Sequence, residues 1–104
     1  MAGSPHFEGV VVLVPTECGG RSRGVHTGYR GQFHLHGDLQ DLADVLWTFL
    51  PEERELVPGE TSCCLIEFFR AELHTHRIEE GDQFEIREGR RVVGVGRIVK
   101  SLAT

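Results

Sequence analysis

Paired histidines give the first candidate chemistry. His34-Leu35-His36 and His74-Thr75-His76 each set two imidazoles two residues apart. On a strand, that spacing puts both rings on one face, within reach of a single metal ion. The frame around the first pair is incomplete. Gly28 precedes His34 by six residues and Gly37 closes the H-x-H, but Gln40 stands where a carboxylate ligand belongs, with Asp41 as its substitute. No second half with a later ligand histidine follows. Both pairs therefore read as structural histidines. His34 and His36 remain metal candidates without the rest of a ligand set, and no cofactor is expected.

A nucleophile is equally hard to assemble. Cys18 precedes a glycine loop carrying Arg21 and Arg23, cations that can lower a thiol pKa. No base stands at a spacing that would serve it. G-x-S-x-G, H-E-x-x-H, C-x-x-C and the phosphate-binding G-x-x-x-x-G-K-[ST] are all missing from the chain. No enzyme and no nucleotide partner are expected. The carboxylates of P-E-E-R-E (51–55) and E-E-G-D (79–82) lie in turn-like stretches and read as a solvated face. The glycines and arginines of G-G-R-S-R-G could cradle an anion through backbone N–H groups, although composition alone favours a simple turn.

Charge is distributed unevenly along the 104 residues, whose net charge is −5. Arg21, Arg23 and Arg30 have no acid among them over residues 19–37. Residues 84–104 carry Arg87, Arg90, Arg91, Arg97 and Lys100 against Glu85 and Glu88. The segment between, 38–83, is strongly acidic. Two basic blocks in an acidic protein would form a phosphate-facing patch if the fold brought them together.

The length suits one domain, residues 1–104, with a modest core. The longest apolar run, Val10 to Val14, is too short to span a bilayer, and no basic region precedes it as in a signal peptide. No membrane partner is expected. Of the three cysteines, Cys63 and Cys64 are adjacent and would point to opposite faces of a strand. A disulfide framework is not expected, and a cytoplasmic location follows by default.

The elements that would position these groups are short strands. The pattern predicts strands over residues 8–14, 32–36, 45–50 and 62–72, a further short strand over 73–78, and a final hairpin over 84–100. A helical turn is predicted near 39–43, with Asp38 as its N-cap. Six or seven strands joined by Gly/Pro/Asp turns argue for an antiparallel sandwich or barrel. The last strand reads V-G-V-G, and Gly94 and Gly96 would share one face. Glycine weakens a strand unless something must come close.

Residues 84–100, F-E-I-R-E-G-R-R-V-V-G-V-G-R-I-V-K, resemble the C-terminal hairpin of bacterial elongation factor Tu, where the family reads F-A-I-R-E-G-G-R-T-V-G-A-G-V-V. Residues 19–33, G-G-R-S-R-G-V-H-T-G-Y-R-G-Q-F, resemble its G-G-R-H-T-P-F-F-x-G-Y-R-P-Q-F without a gap, and Val57-Pro58-Gly59-Glu60 resembles its M-P-G-D turn. Order and approximate spacing agree over residues 7–102. The resemblance is to the third domain of elongation factor Tu, here as a stand-alone chain. It implies an all-β fold, a small six-stranded antiparallel closed β-barrel, with Gly94 and Gly96 as closure residues. In that family the domain contacts the T stem of aminoacyl-tRNA and packs on a GTPase domain and an exchange factor.

The resemblance therefore implies a non-enzymatic translation-factor-like module with tRNA-like structured RNA as a partner. Its RNA-facing candidates are Arg21, Gln32, Glu88 and Gly89, joined by Arg23 and Arg90 from the same basic blocks. The alternative is a protein-interaction module that docks on a translation or regulatory protein through the acidic segment or the Val25–Tyr29 loop. Several positions depart from the family. Ser22 replaces a histidine, Gly24 and Gly31 replace prolines, Val25 and His26 replace phenylalanines, and Arg90 replaces a glycine. Residues 37–50 and 60–80 include insertions. The 104 residues hold no counterpart of the family's GTPase domain or second domain.

Overall fold

The structure is a computed structural model, and it describes residues 3–37 and 42–102. Six strands form a single antiparallel sheet: β1 (Phe7–Leu13), β2 (Gln32–Leu35), β3 (Val45–Leu50), β4 (Thr61–Phe68), β5 (Gln83–Glu88) and β6 (Arg91–Ser101). The spatial order is β2-β5-β6-β1-β4-β3. Period-two alternation sets which face each strand buries. In β1, Phe7, Gly9, Val11 and Leu13 point inward, and in β3 Val45, Trp47 and Phe49 do so.

The sheet curls around an aromatic core. Phe33 lies 5.0 Å from Phe68 and 5.1 Å from Phe84, and Trp47 lies 5.6 Å from Phe84. The Trp47 indole N–H is buried and donates to the Gly31 carbonyl at 2.7 Å, so the largest core side chain leaves no polar group unpaired. Ser62 is also buried, and its hydroxyl donates to Leu50 O at 3.0 Å.

Curling depends on β6. Its register slips by one residue against β1 between Glu8 and Gly9, and against β5 between Ile86 and Arg87. Such bulges bend a strand and increase its twist. Gly96 faces the core beneath the Phe84 ring. A Cβ there would lie 2.4 Å from Val10 O and 2.5 Å from the ring. At Gly94 the nearest atom would be the tip of Ile86, 3.1 Å away. The V-G-V-G run thus lets two core side chains of β5 lie directly on the β6 backbone.

The expected closed barrel is met in part, as six antiparallel strands in a curled sheet. The edge strands β2 and β3 approach each other without a continuous ladder among the described residues. Phe33 and Ala43 exchange both backbone hydrogen bonds at 2.9 Å, and Trp47 N–H donates to Tyr29 O at 3.1 Å.

The strand expected over residues 73–78 is instead helical. A short helix α1 (Ala71–His74) runs into a 3-10 turn, Thr75–Arg77. The Thr75 hydroxyl donates to Ala71 O at 3.0 Å, and Arg70 pairs with Glu72 at 3.0 Å, holding Glu72 below the usual carboxylate range. Local bonding of this kind sets the conformation, and of the segment's large apolar residues Ile78 is buried while Leu73 is exposed. β4 accordingly ends at Phe68 rather than at residue 72. The helical turn expected near 39–43 falls largely on residues 38–41, outside the described residues. Ala43 itself forms the bridge to Phe33.

Candidate nucleic-acid interface

The topology brings the first basic block against the start of the second, whereas Arg97 and Lys100 stand opposite β1. β2 pairs with β5 so that Gln32 stands opposite Arg87 and His34 opposite Glu85. From the preceding loop, Arg21 Nη1 donates to Glu88 Oε2 at the end of β5. Segments 19–37 and 84–90 therefore share one surface.

The glycine loop carries Arg21, and the backbone N–H groups of its first two glycines are spent within the loop. Gly19 N–H donates to Thr16 O at 3.1 Å and Gly20 N–H to Pro15 O at 3.0 Å, so neither is available to cradle an anion. The Thr16 hydroxyl donates to Arg21 O at 2.5 Å, and Arg21 Nε donates to Arg23 O at 3.2 Å. The Arg21 guanidinium also stands over the Tyr29 ring, 5.4 Å from its centroid. Tyr29 donates its hydroxyl to Glu88 Oε2 at 2.5 Å. Burial, reinforced by that carboxylate, pushes the phenol well above its ordinary value.

Beside this cluster lies an open depression of about 330 Å³, lined by Tyr29, Arg30, Gly31, Gln32, Arg87 and Glu88. Arg87 is held by Glu85, at 2.7 Å from Nη2 and 2.9 Å from Nε. The Gln32 amide donates to Asp44 Oδ1 at 3.4 Å. Side-chain cations and amides of this kind match phosphate and ribose, which carry no base information.

Of the residues expected from sequence, Gln32 and Glu88 line the depression and Arg21 joins them through Glu88. Gly89 and Arg90 form the exposed turn that follows. Gly89 takes φ +65°, while no residue other than glycine has positive φ among those described. The left-handed position thus falls on the glycine this chain keeps, and the backbone accepts Arg90. Arg23 is exposed beside Arg21 and makes no ion pair among the described residues. Sequence reasoning left out Tyr29, Arg30 and Arg87 as site residues, although they lie inside the G-Y-R and I-R-E-G motifs. Their roles depend on partners far along the chain.

The histidine pairs resolve differently. His34 lies on β2 and His36 in the turn just after it, and His34 Nδ1 lies 3.3 Å from Glu85 Oε1. His74 and His76 lie on helical turns, where strand spacing does not apply, and His74 Nδ1 is 3.2 Å from Arg77 Nη2. Gln40 and Asp41 lie outside the described residues. Among the described residues no group of three or more His, Cys, Asp and Glu is placed to hold a metal ion.

The cysteines are all free. Cys63 is exposed and Cys64 buried, as adjacent strand positions require, and Cys18 is exposed. Glu52, Glu53 and Glu55 are solvent-exposed, as expected of a solvated face. No helix among the described residues is long and apolar enough to cross a membrane. The family model of the elongation factor Tu C-terminal domain matches residues 2–102, and the chain belongs to that family.

Proposed function

We propose that this protein is a non-enzymatic, translation-factor-like β module that binds the backbone of tRNA-like structured RNA. The observation that carries this reading is the convergence of the two basic segments through the β2–β5 pairing and the Arg21–Glu88 contact. Arg21, Arg23, Gln32, Glu88, Gly89 and Arg90 are the proposed contact residues. Cations take phosphates there, and Gln32 and Glu88 suit ribose hydroxyls. The carboxylates around the depression are engaged as structural partners, Glu88 by Arg21 and Tyr29 and Glu85 by Arg87, which supports binding rather than acid–base chemistry. With so few phosphate contacts, affinity should be on the order of 1–100 µM and should fall with salt. A titration of labelled total tRNA at two salt concentrations, repeated with Arg21→Glu and Arg23→Glu, tests this. An unchanged salt slope in both variants would remove these residues from the interface.

A second reading, docking on a protein, has one observation in its favour. A groove of about 570 Å³ on the outer face of β1, β5 and β6 exposes Val10, Val12 and Val95. The Val25–Tyr29 loop is less suited to docking. Val25 is buried and bridged to Leu56, and Tyr29 is tied to Glu88. Failure of the tRNA titration together with co-purification of a protein lost on Val95→Asp would favour this reading.

A further inference from the structure

Two guanidinium groups, of Arg30 and Arg87, line the depression and a third, of Arg21, joins its wall through Glu88, and the three are held in different ways. Arg21 donates to Glu88, and Arg87 to Glu85. Arg30 makes no ion pair among the described residues. Its guanidinium carbon instead lies 4.4 Å from the centre of the Phe69 ring. Phe69 follows the last residue of β4, its N–H donates to Asp44 O at 3.2 Å, and the residue is left 42% exposed. The backbone is anchored while the ring stays in solvent, where its assignable contact is with Arg30.

An aromatic ring holds a guanidinium without an opposing charge, whereas a paired carboxylate offsets part of the charge a ligand meets. Arg30 is therefore the lining cation of the depression that keeps both its charge and a supported planar face. Unpaired nucleobases stack on such planes, and the adjacent phosphate is drawn to the same cation. Gln32 and Glu88 on the walls offer a donor and acceptors to base or ribose edges. The volume, about 330 Å³, is at the small end of ligand sites.

We propose that the Arg30–Phe69 pair and the adjoining depression form a subsite for one unpaired nucleotide of an RNA. The base stacks on the Arg30 plane, and Phe69 acts as the positioning residue behind it. This rests on the RNA-binding reading above and narrows its ligand to structured RNA with a bulged or looped-out nucleotide.

The test is a fluorescence-anisotropy comparison of two labelled RNA hairpins of equal nucleotide number, one fully paired in its stem and one with a single bulged nucleotide. The bulged hairpin should bind about fivefold tighter or more, the contribution expected of one stacked base. Arg30→Lys keeps the charge and loses the plane, so it should bring the bulged hairpin down to the paired level with the salt slope unchanged. Phe69→Leu should do the same. Phe69 is half exposed, and the emission of Trp47, the single tryptophan, reports that each variant is folded. Equal affinity for both hairpins in the unmodified protein overturns the subsite and leaves the RNA-binding reading standing. A bulge preference that survives Arg30→Lys also overturns it. Binding of neither hairpin at low salt overturns both.

Discussion

Glu88 accepts hydrogen bonds from both the Arg21 guanidinium and the Tyr29 hydroxyl, so one carboxylate at the end of β5 ties down a loop 67 residues away. The loop that carries the basic segment owes its position to this contact more than to its own glycines. Replacing Glu88 with Gln should lower stability by about 1–2 kcal/mol, the combined scale of a part-exposed ion pair and one hydrogen bond. Tyr29 is the single tyrosine, so an absorbance titration reads its phenol directly. In the unmodified protein the phenol should titrate well above its ordinary value, and in Glu88→Gln the midpoint should move down. An unmoved midpoint would mean that burial alone sets it.

The two glycines of β6 should differ in their tolerance of a methyl group. At Gly96 the added Cβ meets the Val10 carbonyl and the Phe84 ring, neither of which can move freely. Gly96→Ala should cost about 1–3 kcal/mol, the range of overpacked cores. At Gly94 the obstacle is the flexible end of Ile86, and the cost should be smaller. Chemical denaturation of the two variants measures the difference, and equal costs would contradict the close approach at Gly96.

Alkaline pH should weaken the fold through Cys64. Burial pushes its thiol up to about 12 from an ordinary value of 9.0. The folded state therefore holds its proton over a range where the unfolded chain gives it up. The associated stability is fully present below pH 9 and is lost as pH rises towards 12. Tyr29, also raised, acts in the same direction. Cys64→Ala should flatten that part of the profile. A thiol reagent at neutral pH should modify Cys18 and Cys63 promptly and reach Cys64 only on unfolding.

How much of this could be read in the residues follows from the range of the interactions. β3 was legible at Val45–Leu50 because Val45, Trp47 and Phe49 alternate with partly exposed neighbours. The last hairpin was legible from its turn and its alternation. The helix at Ala71–His74 was not, because the contacts that hold it are local polar bonds, which leave no apolar repeat in the sequence. Within the candidate site, charge counting located the basic blocks but not which cations remain free. Arg87 and Arg21 are paired with Glu85 and Glu88, while Arg30 rests on Phe69, a partner that no local motif pairs with it. Ring support of that kind appears only once β2 and the end of β4 are set side by side.

The central claim is that the basic segments brought together by β2 and β5 form an RNA-binding face. The most direct measurement is the anisotropy titration of labelled total tRNA at two salt concentrations, with the double variant Arg21→Glu/Arg23→Glu beside the unmodified protein. The account predicts saturable binding on the order of micromolar that weakens with salt, and a weaker, shallower dependence in the variant. Absence of binding at low salt, or identical curves for both proteins, would contradict it.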